Sequence, residues 1–170
     1  MKPPSTLFLA LFATSHAFNV PTGLPDGEYT ISFDANGNAI GELRFIKELS
    51  EVNTTAHAIE ARQTSLPGPT INCRDRRVTR GDYDNAVASM KNECDKGIFY
   101  NARTAVWWTS GSAIAYLCNY DNSNRCWRGE VEQATTLVDT NCGRSTVGWV
   151  YIDTYKKSYG RENSGVSICF

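Results

Sequence analysis

The stretch AIAYLCNYDNSNRCWRGEVEQATTLVDTNC, from Ala113 to Cys142, contains three of the six cysteines and predicts three consecutive elements. Its first residues, 113–118, are nearly all apolar, which is typical of a buried strand. Residues 120–124 are a cluster of turn formers. Glu130 and Glu132 then provide the negative charge that the first turn of a helix favours. Apolar side chains at steps of three and four residues complete one helix face; they are Val131, Ala134, Val138 and Cys142.

The sequence on either side extends this unit to the order β-α-β-β-α-β-β between Thr70 and Phe170. Two split βαβ halves of this kind form an antiparallel sheet with both helices on one face. We therefore predict an α+β fold, a two-layer α/β sandwich stapled by disulfides. The last strand is expected at 165–170, after a Gly/Asn/Ser-rich loop at 159–164. The other predicted elements are strands at 70–73, 104–109 and 149–152 and a helix from about 82 to 94.

A separate, acidic segment precedes this domain. Residues 18–69 carry seven acidic and three basic side chains, whereas residues 70–170 carry 11 acidic and 13 basic ones. Alternating apolar residues on either side of Asn36-Gly37 predict a β-hairpin, and QTSLPGP at 63–69 is typical of a linker. An isolated hairpin is only marginally stable, so it either packs on the main domain or belongs to a propeptide. We predict that residues 18–62 are dispensable for the fold of 70–170.

The N-terminus has the pattern of a secretion signal. Lys2 precedes a short apolar run at 7–13, and Ser15-His16-Ala17 fits a cleavage site that leaves Phe18 first in the mature chain. No stretch reaches the roughly 18 apolar residues that a membrane span needs. The sequence therefore predicts a secreted, extracellular protein without a membrane span, in which Asn53-Thr54-Thr55 is an N-glycosylation site.

The six cysteines all lie in the last hundred residues, without a CxxC pair or a neighbouring histidine. In a secreted chain this pattern indicates three disulfides and argues against zinc or redox sites. Six cysteines allow fifteen pairings. We favour Cys118–Cys126, which would close the polar loop, and leave the other partners open; the cysteines are Cys73, Cys94, Cys118, Cys126, Cys142 and Cys169.

Over residues 70–170 the chain resembles the smut-fungus killer toxin family, whose members are small, virally encoded secreted proteins with relatives in many fungal genomes. The resemblance rests on an ordered set of short motifs. They are INCR at 71–74, a helix ending in Cys94, GSAIAY at 111–116, CWRGE at 126–130, NCG at 141–143 and a cysteine next to the C-terminus.

The resemblance implies a disulfide-stapled α/β sandwich that antagonises competing cells, in the best-known member by blocking calcium uptake. Two departures matter: the toxin has more cysteines, and its functional lysine has no lysine counterpart here, where the nearest cation is Arg103. Calcium-channel block therefore does not carry over. A secreted fungal effector or antagonist, with a role in virulence or antimicrobial defence, is the expectation that remains.

The residues that carry most catalytic chemistry are missing from the predicted domain. The only histidines, His16 and His57, precede it, which excludes histidine triads and histidine metal sites within 70–170. Glu130 and Glu132 are candidate paired carboxylates for glycoside hydrolysis, but two residues apart on a helix they point to different faces. We predict no catalytic residue, metal or cofactor and no enzyme activity. The alternative is a small carbohydrate-binding module or a two-carboxylate hydrolase.

Surface binding is thus the expected activity, and cationic loops are the expected site. A loose cluster of cations could contact an anionic surface, although a net charge of +2 is too weak to favour nucleic acid. We predict a monomer whose partner is a receptor, channel or glycan on a target cell. The alternative platform is the exposed member of the Trp107–Trp108 pair, which must face opposite ways. The predicted cations are Arg74, Arg76, Arg77, Arg80, Arg103, Lys156 and Lys157.

Overall fold

The computed structural model describes residues 18–49 and 65–169 of the chain. The predicted signal peptide and the Asn53 glycosylation site lie outside these residues. The described chain forms two α-helices and a series of β-strands. They are β1 (Phe18–Asn19), β2 (Gly27–Phe33), β3 (Ala39–Lys47), β4 (Pro69–Arg77), α1 (Arg80–Cys94), β5 (Phe99–Tyr100), β6 (Thr104–Ser110), β7 (Ala113–Asn119), β8 (Asn124–Arg125), α2 (Arg128–Cys142), β9 (Thr146–Ile152), β10 (Lys157–Asn163) and β11 (Ser167–Ile168).

Seven of the strands form one antiparallel sheet in the order β3-β2-β6-β7-β10-β9-β4. Two-residue ribbons pair β1 with β11 and β5 with β8. Helix α1 packs on β6 and β7, while α2 packs on β9, β4 and β10. The predicted α+β class with a disulfide-stapled antiparallel sheet is confirmed, as are the strand, loop and helix of the stretch 113–142.

The sheet buries apolar residues on both faces. On the helix side, Trp108 and its neighbours pack against α1 and α2. On the other side, Trp107 stacks on Tyr29 with ring centroids 5.8 Å apart and contacts Phe18 at 5.5 Å. Both tryptophans are therefore buried. Their opposite orientation is confirmed, but the prediction that one of them is exposed is wrong, because the N-terminal segment covers the face that α1 and α2 leave open.

The front hairpin is part of the main sheet. Strand β2 pairs with β6 over six residue pairs, from Gly27–Thr109 to Ser32–Thr104, and β2 and β3 form the predicted hairpin. Of the two alternatives for this hairpin, the structure has the one in which it packs on the rest of the protein. That packing argues against the predicted dispensability of the front segment, since its removal would uncover Trp107.

Strand β10 was not predicted. The expected loop at 159–164 lies mostly within it, and β10 pairs with both β7 and β9. The expected strand at 165–170 is reduced to the two residues of β11. Gly160 serves close packing here, because a Cβ at this position would meet the Tyr116 ring. The sequence KSYGREN has the polar composition of a loop, but it forms a buried strand because its charged side chains are paired inside the protein.

Three disulfides staple the fold, as predicted, and no cysteine is free. They join Cys73 to Cys142, Cys94 to Cys126, and Cys118 to Cys169. The predicted Cys118–Cys126 bond is wrong. Cys118 faces the side of the sheet that the terminal ribbon covers, where Cys169 follows β11, whereas Cys126 lies in the helix-side core beside Cys94.

Candidate binding site

The predicted cations do not converge on one surface. Arg77 lies at the end of β4 that pairs with Thr146, whereas Lys157 lies at the end of β10 that pairs with Ile152. Thr146 and Ile152 are the two ends of β9. At about 3.3 Å per strand residue, the two clusters are separated by about 20 Å. Arg103 is exposed in the loop before β6, where its backbone bonds to Tyr120 and Phe33.

Most of these cations are engaged within the protein. Arg76 pairs with Glu162 at 2.6 Å, and Lys156 pairs with Asp153 at 2.6 Å. The Arg74 guanidinium lies 5.2 Å from the Trp149 ring centroid. Arg80 contacts Asp84 at 2.8 Å and Asp139 at 3.0 Å, and Lys157 is buried. Lys157 therefore offers no surface to a partner, contrary to its predicted place in a binding site, and Arg80 is held in ion pairs; the binding role predicted for the other cations stays a prediction.

Asp139 of α2 is the centre of one internal network. Its carboxylate accepts hydrogen bonds from Arg80 of α1 and from the fully buried Arg161 of β10. Burial alone would raise the pKa of Asp139, but the hydrogen bonds and charges of the two arginines outweigh it and hold the pKa below its usual value. This network links both helices to β10.

A second network surrounds Lys157. Its ammonium donates to Glu130 Oε2 at 2.5 Å and to the Arg125 carbonyl at 3.0 Å, while Tyr159 donates to the same Glu130 oxygen at 2.6 Å. Burial lowers the pKa of Lys157, and the Glu130 charge opposes this shift. Glu132, the other predicted carboxylate, instead pairs with exposed Arg128 at 3.0 Å. The two carboxylates thus serve different ion pairs.

The structure brings together a carboxylate pair that the sequence did not reveal. Glu28 of β2 and Glu93 of α1 are both buried, and Lys47 of β3 forms an ion pair with each. Burial raises the pKa of Glu28, despite the opposing Lys47 charge. For Glu93, hydrogen bonds from Lys47 and Lys96 outweigh burial and lower the pKa. Because Lys47 forms an ion pair with both carboxylates, we interpret these three residues as a structural ion-pair cluster.

The exposed large hydrophobic side chains of the described chain lie on β3, on β5 and next to β8. Five large hydrophobic residues are exposed: Ile40, Phe45 and Ile46 on β3, Phe99 on β5, and Trp127 just after β8. Strand β3 is an edge of the main sheet, and β5 pairs with β8. Ile40 and Phe45 lie on opposite faces of the sheet, because their partners on β2 are Ser32 and Tyr29, so the five side chains do not form one continuous patch.

A cleft of about 290 Å³ lies between β3 and the β5 segment. Its rim carries two of the exposed apolar residues, Ile40 and Phe99, which are 50% and 57% exposed. We call this feature the β3–β5 cleft. Its remaining lining residues are Thr30, Ile31, Ser32, Gly41, Glu42, Arg44, Tyr100, Asn101 and Thr104.

The sequence predicts the hairpin to which β3 belongs, but it does not predict the cleft. One signal was available: Leu43, Phe45 and Ile46 do not follow the strict alternation of a half-buried strand. Two register shifts explain the pattern, since Gly41, Glu42 and Leu43 lie opposite the single residue Ile31 and a second shift falls near Ile46. The contribution of β5, distant in sequence, could not be inferred.

A second cleft, of about 280 Å³, contains the predicted Arg103. Asp34 and Asp121 also line it. Hydrogen bonds from Asn38 and from backbone amides lower the pKa of Asp34, which keeps this carboxylate charged. Two carboxylates lie beside one guanidinium in this cleft. It is therefore a poor match for the anionic target surface that the predicted cations are expected to contact.

Compared with models of known protein families, with curated proteins and with solved structures, the chain has no significant match. The killer toxin resemblance and the predicted partners therefore stay predictions. Neither helix of the described chain is long and apolar enough to cross a membrane. Residues 18–49 and 65–169 contain no group of three or more His, Cys, Asp or Glu side chains arranged to hold a metal ion.

Proposed function

We propose that this protein is a secreted effector or antagonist that acts by binding a surface component of a target cell through the β3–β5 cleft. The observation that carries the proposal is that two of the exposed large hydrophobic residues of the described chain, Ile40 and Phe99, line one cleft together. The predicted cationic site is less suitable, because most of its cations are engaged internally.

The covalent framework supports an extracellular site of action. Three disulfides are typical of secreted or extracellular proteins, and the N-terminal sequence has the pattern of a signal peptide. A stapled scaffold also suits binding, since a preformed site loses little conformational entropy when it takes up its ligand.

The arrangement of acids favours binding over turnover. General acid–base catalysis requires a carboxyl group within hydrogen-bond reach of the substrate. Glu28 and Glu93 are 3% and 2% exposed and both contact Lys47, so a substrate oxygen would have to displace this lysine. Glu130 is likewise occupied by Lys157 and Tyr159.

The test applies the purified, disulfide-intact protein to fungal, bacterial and plant cells and scores growth, necrosis and the amount of labelled protein bound. Phe99→Ser and Arg44→Gln alter the cleft at exposed positions, so the melting temperature should change little. We expect both variants to lose cell binding and activity. Arg77→Gln is the matched control, because it removes an exposed arginine from the cationic cluster on β4.

The opposite pattern would refute the proposal. If Arg77→Gln abolishes cell binding while Phe99→Ser and Arg44→Gln retain it, the cationic edge is the binding surface and the cleft is not. If all three variants bind like the parent protein, neither surface contacts the target.

A further inference from the structure

We propose that the β3–β5 cleft binds a neutral oligosaccharide. This inference rests on the proposed function, since it names the ligand class of the same site. Three properties of the cleft support it: polar side chains with unused hydrogen-bonding capacity, balanced charge, and exposed apolar side chains at the rim.

Four of the polar lining residues are available to a ligand. Ser32, Glu42, Arg44 and Asn101 are exposed, and their side chains make no hydrogen bond or ion pair with the described chain. Together they offer a hydroxyl, a carboxylate, a guanidinium and an amide, hence both donors and acceptors. Sugar hydroxyl groups both donate and accept, so this mixed set matches a carbohydrate better than a ligand of a single polarity.

The charges that line the cleft are balanced. Glu42 and Arg44 both lie on β3 and are the two charged residues of the described lining. An anionic ligand would meet the Glu42 carboxylate and a cationic ligand the Arg44 guanidinium, and like charges brought together disfavour binding. The balance therefore favours a neutral ligand.

The rim supplies apolar contact area. The Phe99 ring and the Ile40 side chain are about half exposed, as required of groups that pack on the C–H face of a sugar ring. Ligand sites combine such apolar surface with a few placed polar groups. The cleft volume of about 290 Å³ is just below the range of about 300–1,000 Å³ for small-molecule sites. It suits one or two sugar rings of a longer chain.

An extended peptide that adds to the β3 edge fits less well. Residues 41–43 bulge opposite Ile31, and Gly41 has a left-handed φ of +79°. Bulges interrupt the ladder of backbone groups and twist an edge away from further strands. The irregular edge thus disfavours strand addition and leaves side-chain recognition in the cleft.

The test is calorimetric titration of the full mature protein with the neutral hexasaccharides of chitin, β-1,3-glucan, cellulose, mannan and xylan, and with an oligogalacturonate as a charged comparison. We expect saturable binding of at least one neutral probe, with little dependence on salt. Phe99→Ala and Glu42→Gln should each weaken it at least tenfold. Arg77→Gln should bind like the parent protein.

Several results would overturn the inference: no neutral probe binds, only the oligogalacturonate binds and does so in a salt-dependent manner, or a neutral probe binds equally well to Phe99→Ala and Glu42→Gln. Saturable binding of an unstructured peptide that the sugars do not displace would also overturn it. Near-ultraviolet circular dichroism verifies that each variant is folded.

Failure of this inference can be separated from failure of the proposed function. If cleft variants lose cell activity but no neutral sugar binds, the cleft acts on cells through another ligand class. If a sugar binds in the cleft but cell activity is the same in the cleft variants, the carbohydrate site is real and the proposed cellular role is wrong.

Discussion

Lys157 of β10 and Glu130 of α2 form an ion pair beneath the protein surface, with Nζ and Oε2 2.5 Å apart. The lysine side chain is 2% exposed and the glutamate 13%. Tyr159, two residues along the same strand, donates to the same carboxylate oxygen. This relationship explains how a strand of loop-like composition lies in the interior, since its polar groups find partners on the helix above.

Replacing Lys157 by Met should destabilise the protein by about 3 kcal/mol, because loss of one partner leaves the other charge poorly solvated. Urea unfolding at neutral pH measures this change. The adjacent Lys156→Met is a matched control, since Lys156 pairs with Asp153 at the surface and its loss should have little effect. If Lys157→Met lowers the free energy of unfolding as little as Lys156→Met does, the Lys157 pair is unimportant to stability.

Asp139→Asn should cost about 3–5 kcal/mol, because Arg161 would remain buried without its carboxylate partner. Glu132→Gln on the same helix removes a pair between two half-exposed residues and should cost less than about 1 kcal/mol. Because the folded pKa of Asp139 is lowered, its stabilisation is present above its ordinary pKa of 3.8 and lost as the pH falls through the lowered value. A penalty for Asp139→Asn that stays unchanged down to pH 2 would contradict this account.

The contribution of Glu28 to stability should change with pH in the opposite direction to that of Asp139. The pKa of Glu28 is raised in the folded protein, so its ionisation costs more there than in the unfolded chain, and stability falls as the pH rises from 4.5 through the raised value. Relative to the parent protein, Glu28→Gln should therefore gain stability over this range. Urea unfolding between pH 4 and 7 tests this, and a constant difference between the two proteins would disprove the shift.

Non-reducing alkylation of the mature protein should label no cysteine, and peptide mapping should recover three bonds: Cys73–Cys142, Cys94–Cys126 and Cys118–Cys169. Joint replacement of Cys118 and Cys169 by Ala should lower the melting temperature, since this bond ties the terminal ribbon to β7. Recovery of a Cys118–Cys126 peptide would contradict the structure.

A protein that begins at Gln63 should lose cooperative melting or aggregate. It lacks β2, the partner of β6, and exposes the face of Trp107 that Phe18 and Tyr29 cover. A scanning calorimetry trace with a single sharp transition near that of the full mature chain would instead support two independent segments.

The sequence alone determined the elements that a local pattern of apolar residues or turn formers predicts. The apolar run at 113–118, the turn formers at 120–124 and the helical spacing of Val131, Ala134 and Val138 predicted β7, the loop and α2. The alternation around Asn36-Gly37 predicted the front hairpin. These predictions hold because period and turn chemistry are local properties of a chain.

Only the tertiary structure decided the features that depend on distant partners. The charges of β10 are buried because Glu130 and Asp139 meet them, and the cysteine pairs follow from which face of the sheet each residue occupies. The β3–β5 cleft likewise requires Ile40 and Phe99, 59 positions apart, to lie beside each other. Composition indicates how polar a segment is, but whether a charge meets solvent or a counter-charge is set by the packing of the whole chain.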